Sequence, residues 1–209
     1  MAAAVRVADL AVAAIGDFGA EVARVLREEG ATPLDPHRPI LTGRRAAVLL
    51  SWRPEPDACE ALDRACFAAG VPWLPVTIEH PYLVAGPWTS PPGGPCLRCL
   101  RRRRAQHDTR AGLRAKVEDA YRRDEALGVY GHLPHHRRLA EALVRLMVAN
   151  AVPGQVHLTH LLTMRSATQR LLPVHGCERC GGSGAWGTDG GVSRAVRSAA
   201  ALRERTANA

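Results

Sequence analysis

Two Cys-x-x-Cys pairs, Cys96-Leu97-Arg98-Cys99 and Cys177-Glu178-Arg179-Cys180, constrain this chain more than any other feature. Each pair can set two sulfurs on one face of a metal ion, and two pairs brought together close the four-sulfur shell of structural zinc. Such a shell leaves no open position for water, so the metal it predicts is architectural. Disulfides would require an oxidising compartment that nothing in the chain indicates, and a redox dithiol normally uses one pair. The other two thiols, Cys59 and Cys66, fall on a predicted helix beside Leu62, where a free thiol is inert packing.

With 209 residues, 46% of them apolar, the chain can build one good hydrophobic core. No stretch approaches the roughly 20 apolar residues of a membrane-spanning helix. The N-terminus lacks the basic start of a secretory signal, and Asp9 interrupts its apolar stretch. These features predict a cytoplasmic protein with reduced thiols. The net charge is +8, yet of 28 basic residues only Lys116 is a lysine, which makes the arginine excess a compositional bias as much as a binding signal. The run Arg101 to Arg104, which follows Cys99 after one leucine, reads as the solvated face of a helix, and nucleic acid is not an expected partner.

Along the chain, Leu10 to Ile15 is a short apolar run ending in glycine, the mark of a buried parallel strand. Gly16-Asp17-Phe18-Gly19 then reads as a turn, and Ala20 to Glu29 as a helix presenting Val22, Val25 and Leu26 on one face and stopped by Gly30. Ala46 to Leu50 is a second buried strand, Asp57 to Ala69 a helix capped by Asp57 and closed by Gly70, and Trp73 to Ile78 a third strand. Strands alternating with helices predict a parallel sheet covered on both faces. Beyond Tyr82, extended pieces broken by prolines and glycines deliver the first cysteine pair on a turn. Leu113 to Leu127 and Arg137 to Ala149 show helical spacing, the second with Leu139, Leu143, Leu146 and Met147 as its stripe. His132, His135 and His136 between them read as a surface turn. Val156 to Met164 and Thr168 to Val174 are predicted strands that return the chain to Cys177. The expected organisation is one domain over 1–182 and a flexible, glycine-rich linker with a basic tail over 183–209.

The order of strand, glycine turn and helix, then Val71-Pro72-Trp73-Leu74-Pro75-Val76, Ala85-Gly86-Pro87-Trp88, Pro95-Cys96-Leu97-Arg98-Cys99-Leu100 and Val174-His175-Gly176-Cys177-Glu178-Arg179-Cys180, resembles the E1-like (ThiF-like) proteins. Within them it is most similar to the cyclodehydratase partners, or leader-peptide-binding proteins, of thiazole/oxazole-modified microcin biosynthesis. The resemblance runs to about Gly182. It implies a truncated Rossmann-like sheet with a zinc lobe held by Cys96, Cys99, Cys177 and Cys180, and an accessory role in azole or azoline formation. The implied partners are a ribosomal precursor peptide and a YcaO-type cyclodehydratase, with room for a homodimer. His175 is then either a hydrogen-bond partner orienting a thiolate or a turn residue facing water.

An active E1-like enzyme adenylates a carboxylate, which needs a phosphate-cradling glycine loop, cations on the phosphates and a carboxylate for magnesium. Here the loop is only Gly16-x-x-Gly19, and Ser51-Trp52-Arg53-Pro54 stands where the resembling enzymes place the magnesium aspartate. Lys116 lies outside the nucleotide half. Asp35 falls at the distance, about 20 residues past the loop, of a ribose-binding acid. Gly16, Gly19 and Asp35 therefore mark at most a degenerate nucleotide site, and the expected state is a scaffold that binds zinc without ATP. The alternative is a true adenylating enzyme acting on a peptide or sulfur-carrier C-terminus. The resembling partners usually begin with a winged-helix peptide clamp, in which the leader adds a strand to a sheet edge. The first strand here begins within about ten residues of Met1, so leader binding is expected to come from another protein or an improvised surface of this one, or to be absent.

Overall fold

The computed structural model describes residues 5–92 and 94–181. The predicted tail over 183–209 lies outside the described residues.

Strand β1 (Leu10–Ile15) runs directly into helix α1 (Gly16–Glu28); β2 (Thr32–Pro33), β3 (Ala46–Ser51), α2 (Pro56–Ala69) and β4 (Trp73–Glu79) follow. The four strands are parallel in the order β2-β1-β3-β4. Strands β5 (Tyr82–Ala85), β6 (Gln155–His160) and β7 (Ser166–Arg170) extend this sheet antiparallel beyond β4. Between β5 and β6 lie α3 (Leu97–His107), α4 (Ala111–Arg123) and α5 (Pro134–Asn150). The parallel unit thus ends at β4, as the change in pattern at Tyr82 implied.

Alternation along the buried strands decides which helix covers which face. Leu10 and Val12 of β1, with Val48 and Leu50 of β3, meet Phe18, Val22 and Leu26 of α1 and Leu143, Val144 and Met147 of α5. On the opposite face Ala11, Ala13, Ala47 and Leu49 meet Cys59, Leu62 and Cys66 of α2. Burying a side chain of leucine size stabilises by about 1.5–3 kcal/mol, so these two layers dominate the favourable side of the fold.

Four expectations need correction. Helix α1 begins at Gly16, not Ala20, because Phe18 and Gly19 are already buried against the sheet; a Cβ at Gly19 would overlap the Leu50 carbonyl oxygen. Helix α2 is not capped by Asp57: Pro56 occupies the first turn, where a missing N–H costs nothing, and Glu55 takes the cap position. On α5 the buried stripe is Ala140, Leu143, Val144, Met147 and Val148, while Leu146 is 46% exposed. His136 leaves the predicted surface turn as well. It is buried in the first turn of α5, accepting at Nδ1 from the Leu133 N–H (3.3 Å) and lying 3.3 Å at Nε2 from the Leu161 carbonyl.

Candidate metal centre and the crevice above the sheet

The two cysteine pairs converge. Cys96 sits at the N-cap of α3 and Cys99 in its first turn, so the first pair is presented by a helix start. The loop leading there is fixed by Thr89 and Trp73, which exchange backbone hydrogen bonds of 2.9 and 3.1 Å. The second pair arrives from β7 in two tight turns, closed by Cys177 N–H to Val174 O (3.1 Å) and Gly181 N–H to Cys177 O (2.7 Å). Sulfur separations are 3.8 Å for Cys96–Cys99, 3.6 Å for Cys96–Cys177 and 3.5 Å for Cys99–Cys180. All four sulfurs lie within 4.8 Å of one another. A tetrahedron with metal–sulfur bonds of about 2.3 Å has edges of about 3.8 Å, so the cluster is sized to share one metal ion.

The surroundings suit a closed site. Cys96, Cys99 and Cys177 are buried and Cys180 is half-buried, packed with Leu171, Phe67, Leu100 and Val174. The Val174 N–H lies 3.3 Å from Cys99 Sγ, a donor aimed at a sulfur lone pair. Burial raises the Cys96 thiol pKa strongly. Cys177 is also penalised by burial, yet the Cys180 and Arg179 amides and the Cys96 and Cys99 thiols outweigh that penalty and bring it down to about 7. Thiols crowded this way are costly without a cation among them. His175 is exposed, so the turn reading applies to it.

A network of charges ties the lobe to α2. Glu60 accepts from Arg98 (2.9 Å) and Arg179 (2.6 Å), one residue from each cysteine pair, with Arg101 at 3.6 Å. Asp63, fully buried, accepts at Oδ1 from the Trp73 indole N–H (3.0 Å), and its Oδ2 lies 3.4 Å from Arg179 Nε. Burial pushes Asp63 above the usual carboxylate range, against the Trp73 hydrogen bond and the Arg179 charge. The arginine run is only partly a solvated face: Arg101 donates to the Pro56 carbonyl (2.8 Å) and Arg104 pairs with Glu79 (3.0 Å).

The other candidate position is the crevice at the C-terminal ends of β1, β3 and β4, where open α/β sheets bind ligands. Gly16 stands there with φ +71°, but the space above it is filled. A Cβ on Gly16 would lie 2.7 Å from Trp52 Cγ, and one on Gly128 2.6 Å from Trp52 Cη2. The indole is thus held between two glycines and stacks on Tyr130 at 4.5 Å with a 22° interplanar angle. Arg53, only 5% exposed, donates to the Tyr121 (3.1 Å), Asp124 (3.0 Å) and Leu127 carbonyls and to Glu55 (2.7 Å). It therefore satisfies one orphan carbonyl in the last turn of α4, that of Tyr121, and ties the segment that follows, through Asp124 and Leu127, over Trp52.

What remains of the crevice beside α1 is lined by Asp17, Glu21 and Glu125, with no arginine or lysine among the described lining residues. Asp35 folds an Asx turn, accepting from the His37 (2.8 Å) and Arg38 (3.2 Å) amides, which hold its carboxyl below the usual range. Cys59 and Cys66 are buried on α2; burial pushes Cys59 up to about 12 and raises Cys66 as well, which leaves neither a ready thiolate. Sequence reasoning had marked Trp52 and Arg53 only as the place of a missing aspartate. Nothing in one-dimensional spacing signals that the indole reaches back to Gly16.

No protein-family model and no curated protein matches the sequence. Solved structures do match by shape. The heterocyclase TruD superposes with a TM-score of 0.62 at 18% identity, over 83% of this chain and 27% of that one. The E. coli microcin synthetase McbBCD complex gives 0.61 at 12% identity over 81% and 67%. E. coli MccB with ATP gives 0.53 at 12% identity over 84% and 68%. The chain spans about a quarter of the heterocyclase chain it matches. The fold is therefore one that this chain shares with these proteins. Among the described residues, no helix is long and apolar enough to cross a membrane.

Proposed function

We propose that this protein is an accessory E1-like scaffold in azole- or azoline-forming ribosomal peptide biosynthesis, which brings a precursor peptide to a YcaO-type cyclodehydratase and performs no adenylation itself. Zinc held by Cys96, Cys99, Cys177 and Cys180 is structural, fixing β7 and the start of α3 against α2. The setting is cytoplasmic, where thiols stay reduced. The shared fold with TruD and McbBCD supports the pathway assignment.

The observation that carries the absence of chemistry is the Trp52 plug with its acidic border. An ATP triphosphate needs amides and cations at the glycine turn; here the approach to Gly16 is occupied by an indole, and the adjoining walls present Asp17, Glu21 and Glu125. Asp35, the residue that would favour nucleotide, is engaged with its own turn. The test is a cyclisation assay with a YcaO-type enzyme and its precursor peptide, with ATP consumption followed in parallel. The expected result is faster ring formation when this chain is added, and no ATP consumed by this chain alone. Peptide-dependent pyrophosphate exchange by the isolated chain would instead establish the adenylating alternative.

A further inference from the structure

The crevice that excludes nucleotide is not closed along its whole length. Trp52, Ile78 and Val129 form a shared wall between two cavities, one of about 530 Å³ toward α1 and one of about 450 Å³ toward α4. Together they make a trough across the ends of β1, β3 and β4. Its α4 side carries an apolar strip that no described residue covers, with Leu113 58% exposed, Val117 39% and Val129 57%; of the arginines that also line it, Arg53 is engaged by Glu55 and three carbonyls and Arg114 by Glu79 and Asp108, while Arg110 stands at its edge. No residue of α4 with a described side chain is buried, so its apolar positions are not spent on the core. The α1 end carries Asp17, Glu21 and Glu125 without a lysine or arginine among its described lining residues, in a chain whose net charge is +8. Among the described residues, Glu21 pairs with His132 at 3.1 Å.

We propose that this trough binds an extended segment of the precursor peptide in which apolar side chains alternate with arginine or lysine. The inference rests on the accessory reading above and names the surface it would use. Concavity selects the occupant: successive side chains of an extended chain can enter cavities on either side of Trp52, whereas a folded partner presents a convex face. The apolar side chains cover Leu113, Val117 and Val129. A basic side chain reaches the carboxylates at the α1 end, where the exposed Tyr130 ring also offers an aromatic face to a cation. The protein's overall positive field repels such a peptide, so its capture would report the local charge of the trough.

The test uses the full chain and a fluorescein-labelled synthetic peptide of alternating leucine and arginine, read by anisotropy, with an alternating leucine and glutamate peptide as control. The expected result is binding of the Leu/Arg peptide alone, weakened at least about tenfold by the combined Asp17→Asn, Glu21→Gln and Glu125→Gln substitutions and abolished by Val129→Arg. Unchanged circular dichroism and metal content show that the variants remain folded. Equal binding to wild type and variants, no binding at all, or preference for the Leu/Glu peptide overturns the proposal. The accessory reading is judged separately, by stimulation of the cyclodehydratase. Stimulation that survives Val129→Arg, with peptide binding unaltered, removes the trough and keeps the reading. Stimulation lost in Val129→Arg without peptide binding to wild type assigns the surface to a folded partner and overturns the peptide proposal.

Discussion

The cysteine lobe and the crevice above the sheet put their surroundings to opposite use. In the lobe, every element converges on the site: a helix start, two tight turns, an amide on Cys99 and the Glu60 and Asp63 ties to α2 all hold four sulfurs at metal-sharing distance. In the crevice the glycine turn survives at Gly16, but the elements around it converge on keeping Trp52 in place. A fold can keep the backbone of a binding site while its side chains close it. Retention of a motif therefore reports ligand binding only when the space over the motif is open.

The contrast can be broken first at the sulfurs. Structural zinc contributes on the order of 10–16 kcal/mol in small peptides, so Cys96→Ser or Cys177→Ser should release the metal and lower stability by more than about 5 kcal/mol. Urea titration with metal analysis checks this; an unchanged midpoint in both variants would show that the lobe needs no ion. Next in size is Asp63→Ala, which strips the Trp73 indole of its buried acceptor and Arg179 of one of its two carboxylates. The expected loss is about 2 kcal/mol by equilibrium unfolding, because the buried indole N–H is left without an acceptor while Arg179 keeps Glu60. Trp52→Ala should cost about 2 kcal/mol through lost stacking and burial, and should still create no ATP affinity, since the acidic walls remain. Micromolar ATP binding by that variant in calorimetry would mean that the indole alone closes the site. Cys59→Ala should change stability by no more than about 1 kcal/mol and leave the metal content untouched.

The smallest effect is in pH. Burial holds the His136 imidazole below its ordinary value, against the Leu161 carbonyl, which favours the charged form. A depressed histidine pKa means that the unfolded chain takes up the proton first, so its contribution to stability is complete above about pH 6.5 and fades as pH falls through that value. Comparing urea midpoints at neutral and mildly acidic pH should show this loss in wild type, reduced in His136→Asn.

Much of the fold was legible because buried strands announce themselves. Leu10 to Ile15, Ala46 to Leu50 and Trp73 to Ile78 are apolar runs between breakers, and each appears in the sheet to within a residue. The cysteine lobe was legible for a different reason, since ligand spacing is a local property that folding only has to bring together. The features that were hidden depend on distant neighbours. Arg53 breaks the rule that arginine stays outside because three carbonyls, of Tyr121 in the last turn of α4 and of Asp124 and Leu127 just past it, receive it, and no pattern near residue 53 encodes them. Leu146 sits at core spacing yet faces solvent, because the packing of α1 against α5 chooses the stripe one position away. His136 has the composition of a surface turn and becomes core because α5 starts at Pro134 and carries it inward.

Metal analysis of the purified chain tests the central contrast most directly. The account predicts one zinc per chain, lost on substituting either Cys96 or Cys177 and retained in Cys59→Ala. A chain that folds without zinc, or a zinc that survives Cys177→Ser, would contradict it.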